Sequence, residues 1–152
     1  MDMYYDGALR AINNSIKLID SITDNTKFEE VSSELHDSLI STVHFVGDVY
    51  ERIKKNGINH FSQDKKEFLL AFVYLNNQLK HDVLLNVVYY EVSGSMFPFK
   101  FPRRFGTPAV YWSDFPDHGQ SKKAKREHYD LYLKKKDVRV TLEKLYGLLK
   151  EL

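Results

Sequence analysis

Between Lys27 and Asn56 an apolar residue returns at every third or fourth position without a break: Phe28, Val31, Leu35, Leu39, Val43, Val46, Val49 or Tyr50, and Ile53. A stripe of that period and length is the pattern of one long amphipathic helix. Lys54 and Lys55 fall where the helix dipole favours cations, and Gly57 is a good C-terminal stop. A helix with one long apolar side has to bury it, and its natural covers are other helices.

The flanking segments supply them. From about Met3 to Ile22, Tyr5, Leu9, Ile12, Ile16 and Ile19 form one stripe. Asp24, Asn25 and Thr26 break it and offer caps for the long helix, with Thr26 and Glu29 spaced as a capping box. Ser62 is placed to cap a third helix through Phe68, Leu69, Phe72, Val73, Asn76 and Leu79, ending near His81 or Asp82. The period then changes. Val83–Val92 is rich in β-branched and aromatic residues, Ser93-Gly94-Ser95 signals a turn, and Phe97, Phe99 and Phe101 alternate with Pro98 and Lys100. Ala109–Trp112 is a candidate third strand, and a helix continuing through Tyr90 is the alternative to this β meander. Helical patterning resumes from about Ser121 to Lys136, and Asp137 is placed to cap a last helix that buries Val138, Leu142, Leu145 and Leu149. The expected fold is mainly α: a single domain over residues 1–152, a four- to five-helix bundle with a small β-hairpin or meander insert at about 83–113, before the last two helices.

Composition narrows the chemistry. The 152 residues include no cysteine, which excludes disulfides, thiolate metal sites and a cysteine nucleophile. His36 and His44 are two helical turns apart, and His60, His118 and His128 are isolated. No metal and no cofactor are therefore expected. Met1–Arg10 has acids and tyrosines where a secretory leader has a basic start and an apolar run, and no stretch suits a membrane span. A cytoplasmic protein without a membrane partner is the expectation.

The run Asn76-Asn77-Gln78-Leu79-Lys80-His81 interrupts the apolar third helix with polar residues. One turn apart, Asn77 and His81 share a face. The simplest account is a solvated helix end, with His81 favoured by the dipole. The run also resembles the signature helix of the HEPN superfamily, helical-bundle proteins that include toxin and antiphage ribonucleases. That signature places an Arg, then usually a polar residue, four to six residues ahead of a His. His81 matches the His and Asn77 the polar position, but Asn76 stands where the Arg belongs, and neither Leu75 nor Tyr74 replaces it. The resemblance implies a metal-independent ribonuclease with His81 as acid or base, Asn77 orienting it or the phosphate, and Lys80 as the cation. Loss of a charge-stabilising group costs such a reaction roughly 10²–10³ in rate. A non-catalytic or weakly active relative, associated with nucleic acid or a partner protein and of toxin or defence type, is therefore favoured over an active nuclease. A purely structural dimerising module is the third reading.

Charge adds a second candidate site. Residues 1–60 hold ten acids and six bases, whereas residues 97–139 hold eleven bases and five acids. Lys122, Lys123, Lys125 and Arg126 cluster, with Tyr129 and Tyr132 nearby. Such a segment can neutralise phosphates and stack on bases, or can be a solvated face with inward tyrosines. The aromatic stretch from Phe97 through Phe105, Tyr111, Trp112 and Phe115, with Arg103 and Arg104, reads as sheet core or as a dimer contact. The expected partners are a second copy of the chain, as a homodimer, then RNA or a partner protein.

Overall fold

A computed structural model describes residues 3–56, 61–79, 87–90, 109–114 and 126–151. Among the described residues five helices and two strands follow in the order α1 (Met3–Asp20), α2 (Asn25–Asn56), α3 (Gln63–Leu79), β1 (Val87–Tyr90), β2 (Ala109–Trp112), α4 (Arg126–Tyr132) and α5 (Val138–Lys150). The fold is mainly helical, with a two-stranded antiparallel sheet before the last two helices. No helix among the described residues is long and apolar enough to cross a membrane.

The long stripe folds as its spacing requires. Val31, Leu35, Leu39, Val43, Val46, Val49 and Ile53 are all buried on α2. Of the three candidate caps one is used, and the capping box at Thr26 does not form. Asp24, not Thr26, is the cap: its Oδ1 accepts the backbone N–H of Lys27 at 2.8 Å, and Thr26 already lies inside the helix. Ser62 caps α3 by accepting from Lys65 N at 3.3 Å. Asp137 caps α5 by accepting from Val140 N at 3.2 Å.

α1 packs on α2 along most of its length. Gly7 lies against Phe45 and Ser15 against Ser38, so the two helices run antiparallel. The buried line of α1 is rotated from the apolar stripe: Ala8, Ile12, Ser15 and Ile19 are buried, while Tyr5, Leu9 and Ile16 flank them half-covered. Small residues take the centre because the helices approach closely there. Ser15 and Ser38 share a hydrogen bond at 2.7 Å, and Thr42 donates to the Ser38 carbonyl at 2.9 Å, so the buried hydroxyls have partners.

α3 is the centre of the bundle. Phe68, Leu69 and every residue from Ala71 to Asn76 are buried, as is Gln78. It contacts α2 on one side and α4 on another, and Phe72 meets Trp112 edge-on at 6.1 Å.

β1 pairs directly with β2, Val87 opposite Trp112 and Tyr90 opposite Ala109. A meander would have paired 109–112 with 96–101, which lies outside the described residues. The far edge of β2 is covered by the link between α4 and α5. Trp112 N donates to the Lys136 carbonyl at 3.0 Å, Lys135 N donates to the Trp112 carbonyl at 2.8 Å, and Tyr111 bridges Asp137. Both edges of this short strand are thus occupied, which removes a template for aggregation. Trp112 is 1% exposed, and its indole N–H donates to Thr141 Oγ1 at 2.8 Å. This end of the aromatic stretch is core.

The Asp24 cap is testable by thermal or denaturant unfolding. Asp24→Ala is expected to cost about 1 kcal/mol. Thr26→Ala should be neutral or slightly stabilising, since alanine is the better helix former at an interior position. The reverse ranking would restore the capping box.

Candidate functional site

The polar run at the end of α3 divides into residues with different roles. Asn76 is buried at 8% exposure, facing α2. Its Oδ1 accepts from His44 Nδ1 at 2.5 Å, while its amide nitrogen lies over Gly47. A Cβ on Gly47 would fall 2.5 Å from that nitrogen, so the missing side chain makes room for the amide. Asn77 is half-buried, Gln78 is buried, and Leu79 ends the helix. Lys80 and His81 lie outside the described residues. Asn76 and Gln78 are therefore interior groups and not a solvated helix end.

His44 is the partner that sequence reasoning missed. Spacing alone relates it only to His36, two turns away on the same helix. The signal was the spacing on α2: His44 and Gly47 are three apart and face one neighbour. Because Asn76 offers its oxygen, Nδ1 of His44 carries the hydrogen, and in the neutral ring Nε2 is then an acceptor; the residue as a whole is exposed. An amide orients the imidazole without adding charge. Within one turn, Phe45 and Ser41 carry the α2 surface on toward α1.

The basic segment is described only from Arg126 onward, so Lys122, Lys123 and Lys125 lie outside the described residues. Arg126 is engaged inside the fold. Its Nη2 meets Asp114 Oδ1 at 2.5 Å, its Nε meets Asp130 Oδ1 at 2.8 Å, and its guanidinium lies over the Tyr129 ring. Partial burial works against its charge, but hydrogen bonds to Asp130, Tyr74 and Asp114 outweigh this and hold it firmly protonated. Lys134 joins the same acids at 3.5 Å and 3.9 Å.

Tyr129 is wholly buried and donates its hydroxyl hydrogen to the Ser113 carbonyl. Burial pushes its ionisation well above the ordinary tyrosine range. It packs beside Tyr74, with ring centroids 6.0 Å apart, and presents no face for a base to stack on. Among the described residues, no group of three or more His, Cys, Asp or Glu is placed to hold a metal ion.

No protein-family model, curated protein or solved structure matches this chain.

Two predictions follow from these contacts. Gly47→Ala gains about 1 kcal/mol of helix propensity, but it must displace Asn76 and break its bond to His44. The overpacking and lost bond together cost more, about 1–3 kcal/mol, so the variant should be destabilised. In an Asn76→Ala background the obstruction is gone and the same change should stabilise. A double-mutant cycle by chemical denaturation reads the sign reversal, and equal effects in both backgrounds would disprove the clamp.

For Asp114, desolvation raises the pKa, but the Arg126 hydrogen bond and the Lys134 charge outweigh it and hold the carboxyl below its ordinary value of 3.8. Its contribution to stability is thus complete above that value and lost as pH falls through the lowered one. Asp114→Asn should reduce stability at neutral pH and flatten its decline below pH 3.8, as read from melts across the acid range.

Proposed function

We propose that this chain is a HEPN-like helical domain that binds and does not cleave: a nucleic-acid-associated or partner-binding protein of toxin or defence type. The supporting observation is the state of Asn76. In the resembled signature this position carries the cation that stabilises charge on the scissile phosphate. Here the residue is uncharged, buried and bonded to His44, with Gly47 packed against it. A guanidinium would not fit in that space without displacing α2. The position serves packing between two helices, and the electrostatic term that dominates such chemistry has no source there.

Binding is assigned to the lysines ahead of α4 and not to Arg126, whose charge is already balanced by Asp114 and Asp130. The expected assembly is a homodimer or a complex with a partner protein.

The decisive assay incubates purified protein with single-stranded RNA in the absence of added metal. Wild type and His81→Ala should both leave the RNA intact. Cleavage by wild type that disappears in His81→Ala would establish the nuclease instead. In gel retardation, replacing Lys122, Lys123 and Lys125 with alanine should lower the slope of log K against log salt by about 2, the value for three single-strand phosphate contacts. Arg126→Ala should leave that slope unchanged while lowering the melting temperature.

A further inference from the structure

We infer that the groove between α1 and α2 is a binding site for the phosphate group of a small phosphate monoester, with Arg10 as its charged contact. The inference does not depend on the HEPN-like reading, and it concerns a different face of the bundle from the lysines ahead of α4.

The groove arises from residue size. Gly7 has no side chain, and the Phe45 ring sits directly against it: a Cβ there would fall 2.6 Å from the ring. Below this point the hydroxyls of Ser15, Ser38 and Thr42 hold the helices close. The resulting cavity is about 280 Å³ and opens to solvent, lined among others by Gly7, Arg10, Asn14, Ser38, Ser41 and Phe45. That volume lies just below the range of pockets for drug-sized ligands, which suits a molecule of mononucleotide size or smaller.

The lining offers several hydrogen-bond donors, and Arg10 carries its formal charge. Arg10 carries five N–H donors in a fork. Asn14 donates one amide hydrogen to Ser38 Oγ at 3.0 Å and retains a second. Ser41 adds an exposed hydroxyl. Among the described residues no carboxylate lines the cavity.

The state of Arg10 is the second, independent observation. Arg126 and Arg139 are each held by carboxylates, Arg126 by Asp114 at 2.5 Å and Arg139 by Glu143 and by Asp20, the latter at 2.6 Å. Arg10 is exposed and lies in the acid-rich part of the chain, with Asp6 one turn away, yet among the described residues it forms no ion pair. An arginine that bypasses nearby carboxylates at the rim of a donor-lined groove is a ready anion contact. Donors on three side chains, Arg10, Asn14 and Ser41, suit the three terminal oxygens of a phosphate monoester, which are spread in three dimensions and carry more charge than the two coplanar oxygens of a carboxylate.

The test uses the ¹⁵N-labelled full chain with four probes: adenosine 5′-monophosphate, adenosine, inorganic phosphate and acetate. Adenosine 5′-monophosphate and inorganic phosphate should cause saturable shifts of the Arg10 Nε–H and of backbone amides at 7–14 and 38–45. Arg10→Gln should weaken the apparent affinity about tenfold or more, and Ser41→Ala severalfold. Since Arg10 is exposed and forms no ion pair within the described fold, Arg10→Gln should keep the wild-type melting temperature. Lys150→Gln, at an exposed site on α5, should leave binding unchanged. Equal binding of adenosine would overturn the anion assignment, and equal binding of acetate would overturn phosphate as the ligand class. Shifts spread over all basic residues, or unaffected by Arg10→Gln, would overturn the site.

Discussion

The burial of α3 from Phe68 to Gln78 is the constraint from which the rest follows. A helical segment in that position has little solvated surface on which to place polar groups. Its aromatic and aliphatic side chains serve α2, α4 and β2 together, through contacts such as Phe72 with Trp112 and Tyr74 with Tyr129. Its polar residues have to find partners inside, because an unpaired buried amide costs a sizeable part of a domain's net stability. Asn76 meets that demand with His44, and the bond fixes how α2 lies against the C-terminal half of α3.

Close helix approach is the second theme, and it is carried by absent side chains. Gly47 admits the Asn76 amide, and Gly7 admits the Phe45 ring. Between α1 and α2, serine and threonine hydroxyls replace aliphatic contacts while remaining hydrogen-bonded. Where small residues bring the backbones together the interface is tight, and toward the start of α1 it opens into the donor-lined groove. Packing geometry and a binding surface thus share one origin.

The charges separate into two populations. Around α4, Arg126 and Lys134 are balanced by Asp114 and Asp130, and across the α1–α5 contact Arg139 is balanced by Asp20. The Arg139–Asp20 pair joins residues 119 apart in sequence, and the pairs with Asp114 tie the α4 region to the end of β2. They are consumed by the fold, so counting bases along a segment overstates the charge available to a ligand. Arg10 stands apart, exposed and without such a partner in the described fold. The proposed functions rest on this distinction: cations already neutralised by the protein hold it together, and those left over can meet phosphate.

Much of the architecture was legible from residue order. Apolar periodicity marked α1, α2, α3 and α5, and the polar residues just ahead of Ser62's helix and of Val138 marked two caps, because periodicity and capping are local in the chain. Locality also set the limits. The buried line of α1 turned toward Ala8 and Ser15, since the fit to α2 decides which face of a helix goes in. The choice of Asp24 over Thr26 followed from where the first turn begins. The pairing of 87–90 with 109–112, the bond from His44 to Asn76, the capture of Arg126 by Asp114, and the exposed Arg10 beside Phe45 each join residues that no local spacing links. Periodicity records which side chains prefer to leave water. Which group each one meets there is decided only when the helices dock.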